Sequence, residues 1–230
     1  MINDTIVSII ANQTISTEYQ PIISIDNRTI YAYEALARFQ VDGVNIAPNE
    51  VFSLCHEDPD VLFLLESMVK QKQLLNRPKD AKLFINLDPD SFTKSHYKTF
   101  WVELLQEQSD IVVEIIENSE EENIVEISNF IDFLDQESII YAMDDFAQDG
   151  SIYSSDFLLR APIIKLDMGF LENVKKFPPY AEVLRGFTNF IKRTNKLGIL
   201  EGVETEDDFK IAKELGVEYV QGYLFKEHFL

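Results

Sequence analysis

The chain has 230 residues, close to the roughly 250 of a (β/α)8 barrel, and its 46% hydrophobic and 26% charged residues are a globular balance that excludes disorder. Forty acids against twenty bases give a formal charge of −20, which repels nucleic-acid backbones and anionic membranes over a screening length of about 8 Å. Polymeric nucleic acid and membrane are thereby excluded as partners, whereas a small anion is admissible where divalent cations and local bases reverse the field inside a pocket.

The first 17 residues, MINDTIVSIIANQTIST, carry neither a basic start nor an apolar stretch long enough for export, and no run approaches ~18 apolar residues, so a cytoplasmic protein is expected. Strand character appears at 19–25 (YQPIISI) and 29–36 (TIYAYEAL). Only Asp26, Asn27 and Arg28 separate them, too few for a crossover helix, so they form an antiparallel hairpin. Cys55, the single cysteine, lies in VFSLCHE on a helix face as a buried spectator and cannot form an intrachain disulfide. Val61, Leu64, Leu65, Met68 and Leu75 recur at helical spacing and predict an amphipathic helix over 60–76. Strands follow at 83–87, 111–116, 139–144, 163–167, 198–203 and 217–223, with enough chain between successive runs for crossover helices, which means parallel strands. Asn118 and Ser119 suit the cap of the helix after 111–116, with Glu120, Glu121 and Glu122 in its first turn. Val183, Leu184, Phe187, Phe190 and Ile191 predict a second sheet-covering helix over 181–197. The sum is an α/β fold, a TIM-like (β/α)8 barrel with one antiparallel strand near the N-terminus; an open doubly wound sheet is the alternative. No linker divides the chain, and the loop with Phe177, Pro178 and Pro179 is too short to be one.

Seven of the runs end in residues able to hold a metal or position a phosphate: Glu34, Asn86, Glu114, the pair Asp144 and Asp145, Lys165, Glu201 and Gln221. In a parallel barrel the C-terminal strand ends share one mouth, so these residues converge. Glu34, Asn86, Glu114, Asp144 and Asp145, with Glu201 opposite, are hard oxygen donors suited to Mg²⁺ or Mn²⁺. His56, His96 and His228 form no cluster with cysteine, which disfavours structural zinc, and they read as surface or structural residues. So many carboxylates stay ionised together only with cations among them. Two divalent ions about 3.5–4 Å apart remove that conflict, activate water and clamp the phosphoryl oxygens of an in-line displacement. Lys165 can orient the nucleophile or stabilise developing charge. Taken singly, Lys165 also reads as a snorkelling surface base and Asn86 as a turn former before Asp88 and Pro89.

These residues lie within YQPI (19–22), YEALAR (33–38), IAPNEVF (46–52), FIN (84–86), EIIE (114–117), MDDF (143–146), KLD (165–167), EGVETEDD (201–208) and YVQGYLF (219–225). With nine such motifs in order, the chain resembles the EAL-domain cyclic di-GMP phosphodiesterase family across roughly residues 18–227. The resemblance implies a barrel domain over 18–230 behind a short segment at 1–17, and hydrolysis of one phosphodiester of cyclic di-GMP to linear pGpG. It further implies that Glu34, Asn86, Glu114 and Asp144 hold one cation, and that Asp144 bridges to a second held by Asp145 and Glu201. Glu201 matches the general-base position, Lys165 would contact the attacking water, and Glu204 and Gln221 would support the centre. Arg38 would bind a substrate phosphate, with Gln20, Leu36 and Gln221 lining the substrate site and Glu117 anchoring the loop after Asp145. A homodimer is expected on the same ground.

One segment departs from the family's pattern. After MDDF the family runs Gly, Thr or Ala, Gly, Tyr, Ser, Ser, whereas here Ala147, Gln148, Asp149, Gly150, Ser151 and Ile152 precede Tyr153, Ser154 and Ser155. Glycine permits a positive φ that a β-carbon resists, so the loop bears on metal occupancy and turnover. Two alternatives to the enzyme therefore stand: a cyclic di-GMP receptor without hydrolysis, and a protein-interaction module. No cyclase, receiver or PAS-type sensor is recognisable before residue 18, so regulation is expected through dimerisation, a partner chain or a domain outside this sequence.

Overall fold

The computed structural model describes residues 3–108, 110–116, 124–148 and 154–230. The chain enters through α1 (Asp4–Asn12), whose cap Asn3 accepts from Thr5 N at 2.9 Å. The antiparallel pair β1 (Ile15–Ser24) and β2 (Ile30–Val41) follows, and a short β3 (Val44–Ile46) folds back on β2. After α2 (Pro48–Ser53) and α3 (Pro59–Leu75), strands alternate with crossovers: β4 (Lys82–Asn86), α4 (Ser95–Gln106), β5 (Ile111–Ile116), α5 (Ile124–Gln136), β6 (Tyr141–Phe146), α6 (Ser155–Arg160) and β7 (Ile163–Leu166). The circuit ends with α7 (Gly169–Lys176), α8 (Ala181–Arg193), β8 (Leu197–Leu200), α9 (Glu206–Glu214) and β9 (Tyr219–Gln221).

The strands run in the order β1-β9-β8-β7-β6-β5-β4-β2, and β1 pairs with β2, so the ring closes and the open-sheet alternative is excluded. β1 is antiparallel to both neighbours, whereas β2, β4, β5, β6, β7, β8 and β9 are mutually parallel. The single reversed strand expected from the three-residue spacer is β1. Its Ile15 is buried and paired with Phe39, and α1 packs Ile6 and Ile9 into a cluster with Phe39, Val51 and Leu62. Much of the N-terminal segment 1–17 is thus packed against the barrel.

One apolar layer plugs the barrel below its mouth: Ile22, Ala32, Phe84, Val112, Ala142, Ile163 and Ile199, with Tyr219 against them. Alternate residues of a strand share a face, so the residue two places further toward the mouth also points inward. Those residues are Gln20, Glu34, Asn86, Glu114, Asp144, Lys165, Glu201 and Gln221. The polar strand ends are therefore the next layer of the same barrel core, resting on a floor that excludes water from beneath. In β1 the step runs backward, from Ile22 to Gln20, because that strand is reversed.

The helix at 59–75 forms, with Pro59 at its start and Asp58 accepting from Asp60 N and Val61 N, and it buries Val61 and Leu65 of the expected stripe, though not all of its leucines. Leu64 and Leu75 are exposed, while Glu66, Lys70 and Gln73 are buried. Polar partners complete the buried face in the second half of the helix: Gln73 Nε2 donates to Ala35 O at 2.8 Å, and Gln73 O accepts from Tyr19 OH at 2.8 Å. Val183 is likewise exposed on α8, where Leu184 and Ile191 are buried. Cys55 is buried and forms no disulfide, as expected, but it lies in the turn that follows α2 rather than on a helix face. The cap and acid run at 118–122 and the anchor Glu117 lie outside the described residues.

Candidate active site at the barrel mouth

Lys165 is the hub. Its ammonium is fully buried, with Nζ at 2.7 Å from Glu114 Oε1, 2.7 Å from Asp144 Oδ1, 2.8 Å from Glu201 Oε1 and 3.2 Å from Glu34 Oε2. Snorkelling to the surface is excluded for this lysine. Burial alone would push its pKa down, but Asp144, Glu114, Glu201 and Glu34 together hold it well above the ordinary lysine value. Gln221 Nε2 donates to Glu34 Oε2 at 2.5 Å, and Asn86 Nδ2 spans Glu34 Oε1 at 2.9 Å and Glu114 Oε2 at 3.1 Å.

With Asp145, five carboxylates face this one ammonium, and their titration shows the imbalance. Burial and then the charge of Glu34 raise Glu114 well above the usual carboxylate range. Burial likewise raises Asp144, takes Glu201 up to about 8, and with the charge of Asp144 brings Asp145 to about 6. Glu34 alone moves down, because Lys165 and the amides of Gln221 and Asn86 outweigh its burial.

Carboxylate oxygens of Glu34, Glu114 and Asp144 lie within 4.8 Å of one another, and so do those of Asp144, Asp145 and Glu201. Asp144 belongs to both groups, the arrangement a pair of cations sharing one bridging carboxylate needs. Gln221 Oε1 is buried without a hydrogen-bond partner, a further oxygen in the same layer. Asn86 presents its NH₂ to both glutamates, so an oxygen ligand there requires its amide to turn over.

Consecutive strand residues normally face opposite ways, and Asp144 and Asp145 both reach the site because β6 is irregular there. The β6–β7 register shifts between Met143 and Phe146, and Asp145 (φ 52°) and Ala147 (φ 61°) are both left-handed. Gln148 N closes the turn on Asp145 O at 3.1 Å.

β2 continues past Glu34, carrying Leu36 and Arg38 on the same face into a cavity of about 560 Å³ that also meets Asn86 and Glu114. Gln20 is the cross-strand partner of Glu34 but is not part of the cavity wall. Glu204 is exposed on the loop after β8 and is not among the carboxylates gathered at the mouth. That loop is braced by Asp208, whose Oδ2 accepts from Glu204 N at 3.2 Å and Thr205 N at 3.0 Å, and whose Oδ1 meets Lys175 Nζ at 2.5 Å.

The sequence patterns missed the far wall of the cavity: His56, Glu66, Lys70 and Asp88. The available signal was Glu66 and Lys70 four apart on an apolar helix, where an ion pair fits. The charge of Asp167, the last residue of KLD, adds to the rise of Asp145.

A closed barrel with one reversed strand, whose mouth gathers carboxylates able to hold cations, defines the class. The EAL domain model matches residues 3–228, and the chain belongs to that family. Among curated relatives, the probable cyclic di-GMP phosphodiesterase PdeN of Escherichia coli is 26% identical over 95% of this chain and 44% of its own length. The chain spans less than half the length of the first such relatives it matches, from 27% to 45%. Among solved structures, the PaMucR phosphodiesterase in complex with c-di-GMP aligns with a TM-score of 0.79 at 20% identity, covering 96% of this chain and 94% of that one. Bacillus subtilis YkuI, solved with c-di-GMP and calcium, aligns at 0.78 with 21% identity over 98% of this chain and 58% of its own. Among the described residues no helix is long and apolar enough to cross a membrane.

Proposed function

We propose that this chain is a cytoplasmic, metal-dependent phosphodiesterase that hydrolyses one phosphodiester bond of cyclic di-GMP to linear pGpG, acting as a homodimer. The carrying observation is the pair of carboxylate groups sharing Asp144 beside a cavity of about 560 Å³. The names of the curated relatives, cyclic di-GMP phosphodiesterases among them, support the substrate.

Glu34, Asn86, Glu114 and Asp144 would hold one divalent cation, and Asp144, Asp145 and Glu201 a second, each Mg²⁺ or Mn²⁺. When bound, the cations supply water activation and neutralisation of the phosphoryl oxygens. Lys165 orients the attacking water and meets the charge that develops on the phosphoryl group. Gln221 fixes Glu34 through its 2.5 Å hydrogen bond, so that residue acts by positioning. Arg38 receives the phosphate, Leu36 flanks the nucleotide, and Glu204 supports the β8 loop. Water oxygen forms the new P–O bond as the ester P–O bond breaks. Glu201 takes the proton of the water and passes it to the leaving 3′-oxygen.

The test is incubation of purified protein with cyclic di-GMP and Mg²⁺ or Mn²⁺, with pGpG resolved by chromatography. No product above a Glu34→Ala control sinks the proposal. A second reading, a receptor that binds without turnover, is favoured by the two left-handed residues at Asp145 and Ala147. Calorimetry in Ca²⁺ showing tight binding, with no product in any metal, selects it.

A further inference from the structure

Two cationic side chains, Lys70 and Arg38, and one histidine, His56, line the cavity among the described residues, and each already faces an acid. Lys70 Nζ lies 2.6 Å from Glu66 Oε2, His56 Nε2 lies 2.9 Å from Asp88 Oδ2, and Arg38 Nη2 lies 2.6 Å from Glu18 Oε1. The undescribed stretches 117–123 and 149–153 contain no Lys or Arg. A dianionic nucleotide entering this cavity therefore meets no unengaged cation from the described wall, in a protein of net charge −20.

The three pairs differ in how readily they open. Lys70 and Glu66 are both almost completely buried, where separating the charges is costly. Asp88 is tied down a second time, as the acceptor for Asp90 N at 2.9 Å. Arg38 and Glu18 have side chains 39% and 37% exposed, on neighbouring antiparallel strands where Glu18 sits opposite Leu36 and Ser16 opposite Arg38. Such a half-exposed diagonal pair is weak and exchangeable. Arg38 Nη1 also donates to Ala37 O at 2.9 Å, so the guanidinium is held at the strand while its other arm turns to Glu18.

We propose that Glu18 is an affinity-setting residue, a carboxylate that competes with the substrate phosphate for Arg38 and so keeps nucleotide affinity low. This rests on the proposed nucleotide site. Glu18 is absent from the cluster around Lys165, so it acts on binding and leaves the chemical step alone.

The experiment compares wild type, Glu18→Gln, Glu18→Asp and the Glu18→Gln/Arg38→Gln double variant, with thermal melts confirming that each folds. Cyclic di-GMP affinity is measured by calorimetry in Ca²⁺, and KM and kcat in Mg²⁺. Glu18→Gln is expected to bind about threefold to fivefold more tightly, with KM lowered and kcat unchanged. Glu18→Asp should stay near wild type because it keeps the charge, and the double variant should lose the gain. Wild-type binding with an unchanged or weakened Glu18→Gln variant overturns the proposal alone. No nucleotide binding by any form overturns both the proposal and the functional reading.

Discussion

Two parts of the barrel mouth hold acidic residues in different ways. On one side Glu34, Asn86, Glu114 and Lys165 stand on the floor residues Ala32, Phe84, Val112 and Ile163, within regular parallel ladders. Their side chains hold one another through Lys165 Nζ and Asn86 Nδ2. On the other side Asp144 and Asp145 share one turn of β6, where the register shifts and two residues take positive φ. The first arrangement is preorganised by packing and charge. The second is preorganised by backbone strain, which is weaker support and easier to tune.

The sharpest way to break the contrast is to remove the hub. Lys165→Met leaves the buried carboxylates without their cation, and metal-free stability should fall by about 3–5 kcal/mol. Turnover should drop at least about 100-fold. Added Mg²⁺ should recover part of the lost melting temperature, since it supplies charge at the same place. A metal-free melting temperature equal to wild type would show that the cluster does not depend on Lys165.

Gly222→Ala comes next. A β-carbon there would collide with the Val203 backbone, and the strain would reach Gln221, which holds Glu34, and the loop after Glu201. A loss of about 2 kcal/mol and a tenfold fall in kcat are expected, read by denaturant unfolding and steady-state kinetics. Gly186→Ala, in open space on α8, is the control and should be neutral or stabilising by about 0.5–1 kcal/mol.

Acidity sharpens the contrast further. Glu201 titrates near 8 and Asp145 near 6 in the folded, metal-free protein, both above their unfolded values near 4. The folded state thus holds more protons than the unfolded chain, and stability falls as pH rises through 6 and then 8. Glu114 and Asp144 shift the same way, whereas Glu34 shifts oppositely and matters only in acid. Melting in a chelator should occur at lower temperature at pH 8.5 than at pH 6, and Mg²⁺ should shrink that difference by taking the place of the protons. A melting temperature that rises from pH 6 to 8.5 without metal would contradict these assignments.

What the sequence disclosed tracks what each feature depends on. The barrel, its reversed strand and its inward polar layer depend on period-two alternation and spacer lengths, which are local quantities. Even so, the reason for acids at strand ends emerges only with the closed ring, where each stands two residues beyond a floor residue. Helix α3 shows the opposite case: periodicity marks Val61 and Leu65 as inward, but the burial of Gln73 follows from partners on β1 and β2, and that of Glu66 and Lys70 from their pairing with each other. His56 was unreadable for the same reason, since its partner Asp88 is distant in sequence. The short β3 escaped notice because three residues carry too little pattern, and its Val44 is exposed.

The smallest effect tests the strained side directly. Ala147 sits at φ 61°, where an L residue with a β-carbon costs about 1–2 kcal/mol. Glycine removes that cost but gives the unfolded chain more freedom, worth about 0.4–1 kcal/mol in the opposite sense. Ala147→Gly should therefore stabilise the protein by about 0.5–1 kcal/mol net, a shift visible in denaturant midpoint. If turnover depends on how firmly the bulge presents Asp144 and Asp145, the same change should lower the metal concentration for half-maximal activity by about twofold to threefold, with little effect on Arg38 or cyclic di-GMP affinity in Ca²⁺. A variant more stable yet unchanged in metal dependence would separate the strain at Ala147 from the placement of the paired aspartates. The burden of holding them would then shift to Lys165 and the β6–β7 bulge.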